Sequence, residues 1–486
     1  MAISLDSVET APWKYWAQVS PFSIAYETPT GVMDWQQLAS LIDQYAHYLI
    51  EQGVKRGDVV TLVGKNQPET LLVYLAAQQI GAIGALTMPQ PTGALQSKLQ
   101  TLYKPHQTRF VWFASDSDNQ RECSSEALVT LDCHVLSTPV AAGLSANSQP
   151  HSATVGDATS HYYHDNFASI VFTSGSTGVP KAVVHTHRQH FASAQGLLRE
   201  LTYTEQDTWL LSLPLYHVSG LAIVYRWLFA GAVLKVGKGS LAEDICGVSH
   251  ASLVATQLKR LLEDAVSLSL THVLLGGSHV PHELAISASD KGIETWLGYG
   301  MTEAASTVTA KQVDSRSNAG HVLMNREVQL VDQRIFIGGQ TLASGYFYQG
   351  HLTALVDQHG WFDSKDLGEW QGEELKIIGR ADNLFISGGE NVHCEEIEAV
   401  LNQIEGVVQT IVIPVDDQEY GQRPIAVIQA EALLSDQAYQ QALQQKLEKF
   451  KWPIAYYLMP DLLLQSGIKI SRAAVREWLR NTRNSY

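Results

Sequence analysis

Residues 171–187 read V-F-T-S-G-S-T-G-V-P-K-A-V-V-H-T-H, a loop of small and hydroxylated residues between two apolar runs. Small residues let successive backbone N–H groups converge on one point, which is how proteins cradle a phosphate. The loop hydroxyls add donors, and Lys181 adds a positive charge. Most Gly/Ser/Thr loops between strands are only turns, so composition alone leaves a turn and a phosphate site both open.

A Walker P-loop is the first specific phosphate site to consider, and the sequence excludes it. That motif needs G-x-x-x-x-G-K-[ST] at the start of a helix. Here Lys181 follows Val179 and Pro180, and Ala182 stands where a Mg²⁺-holding hydroxyl would be. Residues 182–185 also read as a strand rather than as the start of a helix.

The order T-S-G-S-T-G-x-P-K resembles the signature loop of the AMP-forming adenylating enzymes. That superfamily contains acyl-CoA synthetases, peptide-synthetase adenylation domains and firefly luciferase, and its loop holds the β- and γ-phosphates of ATP. The resemblance implies this role for Thr173, Ser174, Gly175, Ser176, Thr177, Gly178 and Lys181.

Residues 297–303, L-G-Y-G-M-T-E, are similar to the Y-G-x-T-E fingerprint of the same family, although alone they read as a strand end and a glycine turn. The resemblance implies an α-phosphate contact from Thr302 and a Mg²⁺ ligand in Glu303. Mg²⁺ prefers oxygen ligands from one or two carboxylates plus phosphates. The implied adenine pocket is lined by Gly277, Ser278, Gly298, Tyr299 and Gly300.

Two later segments continue the match in family order. Asp366, in W-F-D-S-K-D-L-G, resembles the aspartate that accepts hydrogen bonds from the ribose; a solvated turn is the plain alternative. In G-R-A-D-N-L-F-I-S-G-G, Arg380 resembles a ribose- or phosphate-contacting arginine. Asp382 resembles the hinge between the domains, and Gly388 and Gly389 resemble a turn that approaches the pantetheine of CoA.

Lys469, in S-G-I-K-I-S-R, resembles the catalytic lysine of the family's G-K-I-x-R motif. In the family this lysine bridges the substrate carboxylate and the α-phosphate, whereas a lone lysine near a chain end is usually a surface charge. Ile468 departs from the motif because it separates Gly467 from Lys469, but the spacing to Arg472 is kept.

Hydrophobic periodicity predicts an α/β fold. Residues 35–52 and 68–79 have helical spacing, whereas residues 59–63 and 82–87 read as strands, and this alternation is typical of a mostly parallel sheet.

The domain organisation implied by the resemblance is a large N-terminal ATP- and acyl-binding domain over 1–380, with a β-rich subdomain at about 325–375. A hinge near Asp382 would join it to a small, mobile α+β domain over 383–486.

The composition narrows the class of protein. A net charge of −16 in 486 residues disfavours non-specific nucleic-acid binding, which depends on clustered Lys and Arg. Four widely spaced cysteines without a C-x-x-C pair argue for a reducing compartment and against a zinc or disulfide scaffold. Neither a signal-peptide pattern nor a long apolar run is visible, so we expect a cytoplasmic protein without membrane insertion, whose oligomeric state stays open.

The acyl substrate is indicated by residues 212–232, S-L-P-L-Y-H-V-S-G-L-A-I-V-Y-R-W-L-F-A-G-A. His217 lies where relatives carry an aromatic residue or histidine beside the acyl pocket. Arg226, inside an apolar run, either reaches the surface or an acidic partner, or binds a second substrate carboxylate with help from Ser219 and Thr307. These segments resemble the o-succinylbenzoate–CoA ligases of bacterial menaquinone synthesis.

That resemblance implies an enzyme that uses ATP, Mg²⁺ and CoA and forms an acyl-AMP before the thioester. Two alternatives remain open: a ligase or carrier-loading enzyme for another aryl or fatty acid, and a non-enzymatic nucleotide-binding relative. Joint retention of Lys181, Glu303, Asp366 and Lys469 argues against the second alternative.

Overall fold

The computed structural model describes residues 10–114, 131–139, 161–173, 181–264, 266–276, 280, 282–387, 390–444, 446–464 and 470–483. By internal packing the chain divides into two units. The first unit comprises Met1–Ser315, Gly320–Glu327 and Ile337–Phe362, and the second comprises Arg316–Ala319, Val328–Phe336 and Asp363–Tyr486. Within the described ranges, no helix has the length and apolarity needed to cross a membrane.

The helices of the described residues are α1 (Pro12–Val19), α2 (Trp35–Glu51), α3 (Pro68–Gln79), α4 (Thr92–Leu102), α5 (His187–Leu198), α6 (Val218–Ala230), α7 (Leu241–Asp244), α8 (Ala255–Glu263), α9 (His282–Ser289), α10 (Cys394–Leu401), α11 (Asp436–Gln444), α12 (Asp461–Leu464) and α13 (Arg472–Arg483). Short 3₁₀ turns lie at Thr302–Ala304, Ala381–Asn383 and Lys449–Lys451.

The first fifteen strands are β1 (Ile24–Thr28), β2 (Gly31–Asp34), β3 (Val59–Val63), β4 (Ile83–Thr87), β5 (Arg109–Phe113), β6 (Cys133–Leu136), β7 (Phe167–Thr173), β8 (Lys181–Thr186), β9 (Thr208–Leu210), β10 (Val233–Lys235), β11 (His250–Leu253), β12 (His272–Gly276), β13 (Glu294–Met301), β14 (Ser306–Gln312) and β15 (His321–Val322). The remaining strands are β16 (Arg326–Val331), β17 (Arg334–Gly339), β18 (Gly345–Tyr348), β19 (His351–Thr353), β20 (Phe362–Gln371), β21 (Glu374–Arg380), β22 (Leu384–Ser387), β23 (Glu390–His393), β24 (Val407–Asp417), β25 (Gly421–Ala430) and β26 (Tyr456–Leu458).

Two large sheets build the first unit. One has the strand order β15-β14-β13-β12-β11-β9-β10-β1-β2, and the other has the order β19-β18-β8-β7-β4-β3-β5-β6. The pairs β3–β4, β3–β5, β4–β7 and β5–β6 are parallel, and every residue of β3 and β4 is buried. Continuous apolar burial is expected of parallel strands that are covered on both faces.

Local sequence explains the helix starts near the first sheet. Asp34 caps α2: its side chain accepts a hydrogen bond from the backbone N–H of Gln37, whose side chain in turn accepts one from the backbone N–H of Asp34. Pro68 occupies the first turn of α3, where its missing N–H costs no hydrogen bond.

The second unit holds most of the sheet β16-β17-β20-β21 and all of the sheet β23-β22-β25-β24, with β26 beside β25. Alternate residues of β24 enter two different cores: Val412 packs on one side of the sheet, and Ile411 and Ile413 pack on the other. The predicted hinge near Asp382 and the predicted domain limits stay predictions.

Candidate active site

The β7–β8 pair fixes both ends of the predicted phosphate loop. The two strands are antiparallel, and Thr173 lies opposite Lys181. Because β8 begins at Lys181, residues 182–185 form the predicted strand, and the structure agrees with the exclusion of a Walker motif. The loop residues Ser174, Gly175, Ser176, Thr177 and Gly178 lie outside the described residues.

Lys181 and Glu303 are brought together through a third side chain. The Lys181 ammonium lies 4.7 Å from the centroid of the Tyr346 ring. The Tyr346 hydroxyl donates a long hydrogen bond of 3.3 Å to Glu303 Oε1. Burial, followed by the negative charge of Glu303, raises the pKa of Tyr346, so this hydroxyl keeps its proton. No sequence motif singled out Tyr346.

The turn that carries Thr302 and Glu303 is strained. It joins β13 to β14, and Ala305 and Ser306 take φ values of 50° and 90°. A positive φ destabilises a non-glycine residue by on the order of 1–3 kcal/mol, and such strained residues are common at functional sites. The N–H of Ala343 donates to Glu303 O at 2.8 Å and helps to hold the turn.

Two of the predicted adenine-pocket glycines have a packing reason of their own. A Cβ at Gly300 would lie 1.7 Å from Ser306 O, and a Cβ at Gly298 would lie 3.0 Å from Thr307 Cγ2. Tyr299, between them, is half-buried. The other pocket residues predicted from the sequence, Gly277 and Ser278, lie outside the described residues.

Arg226 is buried on α6, and among the described residues it forms no ion pair. Its guanidinium carbon lies 5.1 Å from the centroid of the Trp209 ring. Its Nε has no hydrogen-bond acceptor in the described part of the chain. Burial lowers the pKa of Arg226 to about 9, which still leaves the group charged near neutrality. The alternative in which Arg226 reaches the surface is therefore wrong.

The other predicted acyl-pocket residues lie on or next to the same pair of elements. His217 is the residue before α6, Ser219 is in its first turn, and both are half-buried. Helix α6 packs against β14, which carries the buried Thr307.

A second buried guanidinium, Arg326, was not predicted. It donates to the carbonyl oxygens of Met324 at 2.8 Å and Ser193 at 3.1 Å, and to Ser193 Oγ at 2.8 Å. Burial, and then the positive charge of Arg226, lower the pKa of Arg326 to about 9. The two arginines therefore make this part of the core electropositive.

Ser252 on β11 is a further polar group without a sequence signal. Its hydroxyl is buried and has no hydrogen-bond partner among the described residues. Strand β11 pairs with β9, the strand of Trp209. A serine within an apolar strand carries no motif, so only the fold reveals that its hydroxyl is buried.

In the second unit, Arg380 bridges two predicted site carboxylates. Its Nη1 donates to Asp366 Oδ1 at 2.9 Å, and its Nε donates to Asp382 Oδ1 at 2.9 Å. Asp366 lies opposite Arg380 in the β20–β21 ladder and is buried, so the solvated-turn reading is wrong. The predicted CoA and catalytic residues Gly388, Gly389 and Lys469 lie outside the described residues.

Arg472, the last residue of the K-I-x-R pattern, is an anchor. It donates to Glu398 Oε1 at 2.5 Å and to the carbonyl oxygen of Val412 at 2.6 Å, and to Glu395 Oε1 at 3.2 Å. These bonds tie the start of α13 to α10 and β24.

The donor set at Glu303 fits Mg²⁺. The carboxylate supplies hard oxygen ligands, and only Oε1 is used by the Tyr346 hydroxyl. Among the residues described, no cluster of three or more His, Cys, Asp or Glu could hold a metal, so phosphate oxygens of a nucleotide would complete the coordination.

Residues 13–347, well over half of the chain, match the AMP-binding enzyme family. The chain belongs to this family. Because this is a family of enzymes, the match argues against the alternative of a non-enzymatic relative.

Individual relatives cover almost the whole chain. The 2-succinylbenzoate–CoA ligase of Salmonella typhimurium is 41% identical over 96% of this chain and 97% of the relative. That of Escherichia coli is 39% identical over 96% and 98%. A solved structure of a point variant of E. coli MenE with bound OSB-AMS has a TM-score of 0.84 and 37% identity, and covers 97% of this chain and 98% of that one. The predicted fold class, α/β with a smaller α+β part, is confirmed.

Proposed function

We propose that this AMP-binding enzyme is a 2-succinylbenzoate–CoA ligase of menaquinone synthesis. It activates the succinyl carboxylate with ATP, releases pyrophosphate, and transfers the acyl group from AMP to the thiol of CoA. Support comes from relatives of that name at 39–41% identity over 96% of the chain.

The observation that supports a dicarboxylate substrate is the buried guanidinium of Arg226. A buried charge without a counter-charge destabilises the protein, because the ion loses its hydration in a medium of low dielectric constant and gains no ion pair in return. The ring carboxylate of 2-succinylbenzoate would supply that counter-charge, with Ser219 and Thr307 as polar neighbours. A monocarboxylic aryl or fatty acid would leave Arg226 uncompensated, which disfavours the alternative substrates.

The first half-reaction needs positive charge around the phosphates. A carboxylate oxygen attacks the α-phosphorus while the bond to pyrophosphate breaks, and both reactants are anions. We assign Lys181 and the loop 173–178 to the β- and γ-phosphates, Thr302 to the α-phosphate, and Lys469 to the reacting carboxylate and α-phosphate. Bound at Glu303, Mg²⁺ supplies Lewis-acid stabilisation of phosphate oxygens.

The nucleoside and CoA have their own residues in the proposal. Gly277, Ser278, Gly298, Tyr299 and Gly300 receive the adenine. Asp366 accepts hydrogen bonds from the ribose hydroxyls, and Arg380 Nη1 orients that carboxylate through its hydrogen bond of 2.9 Å to Oδ1.

In the second half-reaction the CoA sulfur attacks the acyl carbonyl carbon and AMP leaves. One site then serves two nucleophiles in turn, which gives a hinge at Asp382 a purpose. Gly388 and Gly389 are assigned to the approach of CoA.

We also place the reaction in the cytoplasm, where ATP and CoA are found. In the described part of the chain, Cys246 and Cys394 are free thiols, which is compatible with a reducing compartment.

The test compares two acids that differ only in the ring carboxylate: 2-succinylbenzoate and 4-oxo-4-phenylbutanoate. Pyrophosphate release by the purified enzyme with ATP, Mg²⁺ and CoA should favour the dicarboxylate by roughly 10²-fold in kcat/KM. Arg226→Ala should erase most of this preference. Absence of turnover with 2-succinylbenzoate, or an unchanged preference in the variant, would overturn the proposal.

The proposed role of Lys469 is tested by separating the two halves. Lys469→Ala should slow adenylation by roughly 10²–10³-fold, by analogy with loss of an oxyanion donor. The variant should still convert a supplied acyl-adenylate and CoA into thioester, because that half does not need the lysine. Lys449→Ala, at an exposed lysine of the second unit, is the control. Equal loss of both halves contradicts the assignment.

A further inference from the structure

Tyr346 lies in a segment whose backbone is hydrogen-bonded both to the strand of Lys181 and to the turn of Glu303. Its strand β18 pairs with β8, with Tyr346 opposite Val183. Just before it, the N–H of Ser344 donates to Val184 O at 2.9 Å, and the N–H of Ala343 donates to Glu303 O at 2.8 Å. The backbone therefore fixes Tyr346 relative to both neighbours.

The side chain of Tyr346 lies between a cation and an anion. Its ring attracts the Lys181 ammonium at 4.7 Å, and its hydroxyl reaches Glu303 Oε1 at 3.3 Å. A ring face attracts an ammonium without neutralising it, whereas a carboxylate would cancel both charges. In the described part of the chain neither Lys181 nor Glu303 is in an ion pair, so both charges remain available to a ligand.

We propose that Tyr346 is a positioning residue that keeps Lys181 and Glu303 apart and ready for the magnesium-bound triphosphate. This inference rests on the proposed function, because it takes Lys181 as a phosphate ligand and Glu303 as a magnesium ligand. The ring holds Lys181 in place before ATP arrives. The hydroxyl orients Glu303 through one oxygen and leaves the other for the metal. Hydrogen bonds that are long without ligands often shorten when a substrate binds.

Two substitutions separate the ring from the hydroxyl. Tyr346→Phe keeps the ring beside Lys181 and removes only the hydrogen bond to Glu303. Tyr346→Leu removes both, and lets Lys181 and Glu303 pair directly. Tyr348→Phe and Tyr348→Leu are matched controls, because Tyr348 is on the same strand and is 57% exposed.

The main readout is equilibrium binding of ATP by calorimetry, with and without Mg²⁺ and without any acid. In Tyr346→Phe, the Mg²⁺-dependent gain in ATP affinity should fall roughly 5-fold, the size of one hydrogen bond, while binding without Mg²⁺ is unchanged. In Tyr346→Leu, binding without Mg²⁺ should also fall, roughly 10-fold, because Glu303 then occupies Lys181. The Tyr348 variants should bind as the wild type does.

A double-substitution cycle checks the cause. If Lys181–Glu303 pairing produces the loss in Tyr346→Leu, that loss should disappear when Tyr346→Leu is made in a Glu303→Gln background. Persistence of the full loss in that background overturns the spacer role. Identical affinities in Tyr346→Phe and Tyr346→Leu, both with and without Mg²⁺, would reduce Tyr346 to a packing residue.

Failure of the proposed function looks different. If the wild type releases no pyrophosphate with 2-succinylbenzoate but the Tyr346 variants still change ATP binding as described, the substrate is wrong and the role of Tyr346 stands. If the wild type turns over and the Tyr346 variants keep its Mg²⁺ dependence, KM for ATP and kcat, the role of Tyr346 is wrong and the function stands.

Discussion

At the residue scale, the buried charge of Arg226 gains little from its described neighbours in the free protein. The guanidinium has the Trp209 ring as a neighbour at 5.1 Å but no carboxylate among the described residues. Cation–π attraction returns only about 0.5–2 kcal/mol, less than the cost of removing the ion from water. The substrate carboxylate proposed to bind at Arg226 would offset this cost.

A stability measurement can reveal that deficit directly. Arg226→Met keeps the apolar stem and removes the charge, so we expect the free energy of unfolding to rise by on the order of 1–4 kcal/mol while turnover of 2-succinylbenzoate is lost. Denaturant unfolding of the two proteins without ligands is the measurement. A variant several kcal/mol less stable than the wild type would identify Arg226 as a structural residue instead.

From the sequence, individual charged residues could be identified, but the side chains that surround them in the fold could not. Arg226 stood out because its neighbours in the chain are apolar, and Asp366 because of its motif. Tyr346 and Arg326 carried no signal, since their importance comes from partners far away in sequence, such as Glu303 for Tyr346 and Ser193 for Arg326.

At the scale of elements, β13 and β14 form one device with the turn between them. Gly300 pairs with Thr307, and the backbone there approaches so closely that no Cβ fits. The strand pair thereby sets where Thr302 and Glu303 project.

Two glycine substitutions test this device. Gly300→Ala places a methyl 1.7 Å from the carbonyl oxygen of Ser306, a backbone atom, so we expect a loss of about 2–3 kcal/mol in unfolding free energy and weakened binding of ATP with Mg²⁺. In Gly298→Ala the nearest atom to the new methyl is Thr307 Cγ2 at 3.0 Å, a side-chain atom that can shift, so the substitution should cost about 1 kcal/mol. Denaturant unfolding and calorimetry of both variants decide; equal losses would contradict the close approach at Gly300.

Single elements were predictable where local signals agree. The predicted helix over 68–79 and strand over 59–63 are observed with those limits, because α3 starts at a proline and β3 is rich in β-branched residues. The apolar run around Arg226 forms α6 from Val218 onwards, because the chain first turns at Pro214, whose carbonyl accepts a hydrogen bond from His217 N–H.

At the scale of the molecule, the class of fold followed from alternation but the order of strands did not. Strands β1 and β2 join the sheet of β9–β15 beside β10, a strand that is distant in sequence. Such pairings depend on long-range packing, which hydrophobic periodicity does not encode.

The core also makes stability depend on pH. His185 on β8 and His187 and His190 on α5 are almost wholly buried. Burial lowers the pKa of His185 to about 4 and that of His187 to about 3, and burial with its two neighbours lowers the pKa of His190 well below its usual value. In the unfolded chain each histidine titrates near pH 6.5. Between these values the unfolded state therefore binds protons that the folded state does not.

The sign of the pH effect follows from that difference. The contribution of these histidines to the unfolding free energy is fully present above about pH 6.5. It decreases as the pH drops towards their folded-state pKa values, by about 1.4 kcal/mol per pH unit for each histidine. The three together should steepen the loss to about 4 kcal/mol per unit near pH 5. Urea unfolding at a series of pH values from 7.5 to 5 measures the slope in the wild type and in His185→Leu. In His185→Leu the slope of the unfolding free energy against pH should be smaller by about 1.4 kcal/mol per pH unit. An unchanged slope would show that His185 is protonated in the folded protein.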